Sequence, residues 1–175
     1  MRRVFLSGVL LAVLLLPAAA SARASAQSRR PGYLVVRKGL NDGGPNGRPA
    51  VTLVVKGFVL GRISQEARVD IYHLPSANTQ ILPSAKGQDV RQQAKRWNGL
   101  PGVEYNGSGF RFSAMGGSYR VVIRGAGVYL FAGGSGSVTL RGSSVYKKAD
   151  GTYSVDASRF LSLPTRPLKL RIGGG

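Results

Sequence analysis

The chain has no cysteine, a single histidine (His73) and only seven carboxylates among 175 residues. The missing cysteine excludes a disulfide framework, a thiolate nucleophile and a thiol-linked lipid anchor. With one histidine and scattered acids there is no recognisable metal cluster. Glu66 and Asp70 are the one close carboxylate pair, and Glu66 falls in a turn, so the spacing gives no support to a two-carboxylate hydrolase. Asp70 and His73, three apart on a strand, point to opposite faces. His73 shares its face with Val69 and Ile71 and reads as a core-edge histidine rather than a base. Gly125-Ala126-Gly127 and Gly133-Gly134-Ser135-Gly136 have no helix behind them, so they read as turns and not as dinucleotide cradles. The expectation is a non-enzyme with no catalytic residue, no metal and no cofactor.

Long apolar runs are also scarce. The one candidate, Val4 to Leu16, is shorter than the roughly 20 residues a membrane span requires. Arg2 and Arg3 before it, Pro17 behind it, and Ala-x-Ala sites ending at Ala22 and Ala26 make residues 1–26 a secretory signal. Arg2-Arg3-Val4-Phe5-Leu6 also resembles the twin-arginine export motif, although the strongly apolar segment favours the general secretory route. The expected product is secreted or extracytoplasmic and has no transmembrane segment. Residues 27–32 form a disordered basic leader, and 33–175 form a single all-β domain. A domain of that length buries about 70% of its unfolded surface, so it can be stable without disulfides.

Positive charge and glycine are abundant. The whole chain carries +18 at neutral pH and 25 glycines. Between the turns, apolar residues recur with period two, the mark of half-buried strands. Val51 to Ile63 places Val51, Leu53, Val55, Val59 and Ile63 on one face and Lys56, Phe58, Leu60 and Arg62 on the other. Phe110 and Phe112 alternate with Arg111 and Ser113, Val128 and Leu130 with Tyr129 and Phe131, and Leu168, Leu170 and Ile172 with Lys169 and Arg171. Eight to nine short strands with regular turns predict an antiparallel β-sandwich or a partly closed barrel. One short helix is expected near 89–97, capped by Asp89 and ended by Asn98-Gly99, with Leu100 to Ser108 as a turn-rich connection.

The stretch from Ser118 to Tyr146 contains an echo, VVIRGAGVY against VTLRGSSVY, and reads as three short strands. In each copy a basic residue stands before a glycine on the face away from the core, as Lys56 does before Gly57. First and third strands of a meander run the same way, so Arg124 and Arg141 should share a rim, followed by Lys147 and Lys148. Such a rim, with glycine amides close by, suits phosphate, sulfate or carboxylate groups. The alternative is that these side chains merely reach out to water. Arg91, Lys95 and Arg96 form a second basic group on the expected helix, beside Trp97. Tyr129, Phe131 and Trp97 are candidate aromatic contacts for a sugar ring or a partner protein.

The arginine-led signal and the glycine-rich VxLxG strands resemble small secreted β-proteins of high-GC bacteria. That resemblance implies export and the all-β class and carries no catalytic motif. The leading functional expectation is a module that binds an anionic cell-envelope polymer (wall phosphopolymer, acidic glycan or anionic lipid) through a basic rim. A protein-interaction or assembly module using exposed aromatics or a strand edge, with an acidic protein as partner, is the alternative. Nucleic acid is a weaker candidate, because few aromatics are interleaved with the charges.

Overall fold

The computed structural model describes residues 31–38, 44–75, 83–143 and 151–174. The expected export signal, most of the expected leader, and Lys147 and Lys148 lie outside the described residues. Among the described residues nine strands follow one another: β1 (Gly32–Arg37), β2 (Val51–Ile63), β3 (Ala67–His73), β4 (Ser84–Trp97), β5 (Leu100–Gly125), β6 (Val128–Leu140), β7 (Thr152–Val155), β8 (Leu161–Ser162) and β9 (Leu168–Ile172). Among the described residues the one helical element is a single 3-10 turn, Gly44–Asn46. All nine strands belong to one sheet, ordered β3-β5-β2-β6-β1-β7-β8, with β4 added on β5 and β9 on β6. The sheet curls over a shared core and does not close, which bears out the all-β class.

The alternation in the sequence sets which face is inward. In β2 the five apolar residues read as the inner face are all buried, and the pairings carry that face across the neighbouring strands. Val51 lies between Ile123 of β5 and Leu140 of β6, and Ile63 between Phe110 and Val128; all of them are buried. Opposite the middle of β2, the strand β5 carries a bulge. Gly57 faces Gly117 but Phe58 faces Met115, so Gly116 is an extra residue, and its φ of 74° is a conformation glycine adopts without penalty. This bulge moves the inner face of β5 from Phe110, Phe112 and Ala114 to Tyr119, Val121 and Ile123.

β5 also encloses its neighbour. Ala67 faces both Gly107 and Gly125, and Ile71 faces both Val103 and Val121. The strand therefore curls so that its two ends flank β3 on either side. In both segments the residue numbers fall as those of β3 rise.

Two expectations are corrected. Residues 89–97 are not helical: they belong to β4, which pairs with β5 from Ser84↔Ser113 to Trp97↔Leu100. Asn98 and Gly99 have φ of 49° and 79°, the left-handed pair that a two-residue hairpin requires. What reads as a helix stop is a hairpin, and the stretch read as turn-rich is the returning strand. The helix preferences of Gln, Ala, Lys and Arg amount to tenths of a kcal/mol per residue, and so short a helix is marginal alone. A ladder along the whole of β4 outweighs them. The strands are also longer and fewer in the Ser118–Tyr146 stretch than expected, for Val128 to Leu140 runs as a single strand through Gly133 and Gly134.

Candidate anion-binding face

The residues that alternate with the core form an outer face crossed by rows of directly opposed side chains. One end of this face, built by β3, β4 and β5, is ion-paired. Asp70 faces both Glu104 and Val122, and it is only 2% exposed. Its two oxygens are taken by different arginines: Arg68 Nε donates to Oδ1 at 3.1 Å and Arg124 Nη1 to Oδ2 at 2.6 Å. Glu104 Oε2 lies 2.9 Å from Arg68 Nε and 2.9 Å from Lys95 Nζ. Burial works against the charge of Arg68, yet the hydrogen bond from Asp70 and the two carboxylates outweigh it and hold the guanidinium above its ordinary value. Beside this cluster Arg120 stacks on Trp97, its Cζ 4.3 Å from the ring centre, and Tyr72 packs on the same indole with ring centres 6.0 Å apart. Burial, with the Asp70 charge second, pushes the Tyr72 hydroxyl up.

This cluster engages several of the candidate residues. Arg124 and Lys95 are bound to carboxylates. Trp97 is half-buried as a support for Arg120 and Tyr72. Ile123 and Leu140 flank Val51, so Arg124 and Arg141 do end at the same edge, on the strands either side of β2. With Arg124 held by Asp70, however, they do not form a free pair. Arg141 is half-buried, and its backbone N–H donates to Ala50 O. Lys56 is exposed on the outer face, opposite Ser118 and Ser135. Arg91 and Arg96 are both exposed, but on a strand they fall on opposite faces, so Arg91, Lys95 and Arg96 make no common stripe.

The other end of the outer face is different. Arg62 of β2 faces Tyr129 of β6 on one side and Arg111 of β5 on the other, and Arg111 in turn faces Lys86 of β4. Arg37 continues the row, one residue beyond Val36, whose partner is Leu130. All four cations are exposed, and none takes part in an ion pair among the described residues. Arg37 stacks over Phe160 at 4.1 Å. The next row along the strands is apolar across three of them, with Val35 facing Phe131 and Phe131 facing Leu60, and it ends at Ser113 opposite Leu60. Between the two rows runs a groove of about 680 Å³.

The aromatic side of the groove is braced. Tyr33 and Phe131 are stacked at 5.8 Å with planes 11° apart, and Phe58 meets Phe131 edge-on at 5.3 Å. Gly133, which lies between Tyr33 and Phe58 in the ladder, makes this possible, because a Cβ there would come within 2.5 Å of the Phe58 ring. Tyr129 and Phe131, both candidates from the sequence, thus line one groove, whereas Arg37, Arg62, Lys86 and Arg111 were not singled out. Alternation marks Arg37, Arg62 and Arg111 as outward. Only the pairing of five strands brings the four cations into line.

Comparison of the chain with models of protein families, with curated proteins and with solved structures finds no match.

Proposed function

We propose that the protein is a non-enzymatic module that binds an anionic polymer of the cell envelope, and that the row Arg37–Arg62–Arg111–Lys86 is its contact surface. The export signal read at residues 1–26 would place it outside the cytoplasm. One observation carries the reading: Arg62, Arg111 and Lys86 occupy directly opposed positions on three neighbouring strands without a carboxylate between them. Strand spacing puts their backbones about 5 Å apart, and like charges so placed destabilise a sheet by a few tenths of a kcal/mol per pair. An anion laid along the row removes that repulsion and gains charge-assisted hydrogen bonds from guanidinium groups suited to phosphate and carboxylate.

Assembly through a strand edge is the less favoured reading. The edge of β4 away from β5, unpaired among the described residues, belongs to a strand that carries Lys86, Asp89, Arg91, Lys95 and Arg96, and charge of this density opposes edge-to-edge pairing. The test is retention of the purified domain on isolated envelopes and on immobilised polyphosphate across a salt series. Binding should fall steeply with salt, and the double variant Arg62→Gln/Arg111→Gln should bind at least tenfold more weakly. Retention that is indifferent to salt and to both substitutions refutes the proposal, and a dimer that persists in high salt supports assembly instead.

A further inference from the structure

The groove beside the cationic row narrows the ligand class, on the premise that the row binds an anion. We infer that the ligand is an anionic amphiphile: a phosphate or carboxylate headgroup on Arg62, Arg111 and Lys86, with hydrocarbon continuing over Leu60 and Phe131. Leu60, Tyr129 and Phe131 are each 39% exposed and line the same groove. Large apolar side chains clustered at this exposure, next to cations with no ion pair among the described residues, match a ligand that is charged at one end and apolar at the other. A fully hydrated polyanion would use only the charged row.

The apolar side also favours an acyl chain over a sugar ring. Sugar stacking needs a free aromatic face, and the Phe131 ring already has Tyr33 stacked on it and Phe58 at its flank. Beside it the groove is lined by the aliphatic Leu60 and Val35 together with Tyr129. The two rows are separated by one strand repeat of two residues, roughly 7 Å. That is the distance from a headgroup to the first carbons of its chain. The occupant is therefore a lipid-linked anion and not a bare polymer.

The probes are myristoyl and decanoyl lysophosphatidylglycerol below their micelle concentrations, glycerol phosphate as the headgroup alone, and inorganic polyphosphate, each titrated calorimetrically into the full domain. The myristoyl form should bind most tightly, with a gain of up to about fourfold for each methylene the groove covers. Leu60→Asn and, separately, Tyr129→Asn should abolish the dependence on chain length, and Leu60→Asn, which lies outside the cationic row, should leave polyphosphate binding unchanged. Both residues are substantially exposed, and an unchanged melting temperature certifies that the variants fold. Arg62→Gln should weaken every probe. If polyphosphate binds but the two lysolipids bind alike, or if neither groove variant alters their difference, the amphiphile proposal is wrong and the anion reading stands. If polyphosphate itself fails to bind, or ignores Arg62→Gln, the underlying reading falls.

Discussion

The two ends of the outer face hold similar cations in opposite circumstances. Around β3, two carboxylates hold Arg68, Arg124 and Lys95 at 2.6–3.1 Å. Along the groove, Arg37, Arg62, Arg111 and Lys86 form a row without any carboxylate partner among the described residues. The first arrangement ties strands together and the second sets them slightly against each other. A basic protein therefore cannot be read from its count of positive residues: what matters is where its few acids are spent. Among the described residues the two ion-paired acids of the outer face are both committed to one end, and the row at the other end has no carboxylate partner.

The strongest way to break this contrast is to remove the acid at the centre of the paired end. Asp70→Ala leaves Arg124 without its carboxylate and Arg68 with Glu104 alone. Stability should fall by about 2–4 kcal/mol, the lower part of the range for a broken buried pair because both arginines keep some contact with water. A melting temperature lower by roughly 5–15 °C is expected. The same variant should gain affinity for polyphosphate, because the paired end would now resemble the groove.

The next comparison applies one substitution to both ends. Arg124→Ala should lower the melting temperature, at a cost of about 1–3 kcal/mol, and leave anion binding nearly unchanged. Arg62→Ala should do the reverse, weakening polyphosphate binding about tenfold while changing stability by less than about 0.5 kcal/mol. Equal effects of the two variants on either measurement would erase the distinction drawn here.

Alkaline pH provides a third, smaller separation. Burial raises the hydroxyls of Tyr105 and Tyr119, and burial followed by the Asp70 charge raises that of Tyr72. Groups whose folded pKa lies above the unfolded value of about 10 contribute stability that is intact below that pH and is lost as pH rises through the folded pKa. Thermal melts should therefore fall above about pH 10, and Tyr72→Phe should flatten part of that slope. The smallest effect is expected from Gly133→Ala. The added Cβ meets the edge of the Phe58 ring, which can give way, so the cost should be about 1 kcal/mol, with a shift in aromatic near-ultraviolet circular dichroism from the Tyr33–Phe131–Phe58 group.

How much of this was legible in the sequence differs between the faces. The inner face was readable because period-two alternation is local: Val51 to Ile63, Phe110 with Phe112, and Val138 with Leu140 all bury the residues that the pattern marks. β4 was misread because Gln92, Gln93, Ala94 and Lys95 suit a helix, and its strand character comes only from pairing with β5. The outward direction of Tyr129 and Phe131 was visible, and so was the shared rim of Arg124 and Arg141. The capture of Arg124 by Asp70 was not, since it joins positions 54 residues apart. The groove was hidden for the same reason. Its cations come from four strands, and cross-strand register, which no stretch of sequence states, decides that they meet.

The embrace of β3 by the two ends of β5 bears on how the molecule assembles. Val69 and Ile71 can acquire their second set of neighbours only after the chain as far as Gly125 exists and has wrapped back. Closure is thus a late event that joins distant parts of the polypeptide, a topology associated with maturation in milliseconds to seconds rather than microseconds. Until that latch shuts, the apolar side of β3 stays adhesive, and a fragment truncated before Tyr119 should aggregate rather than persist as a smaller native unit.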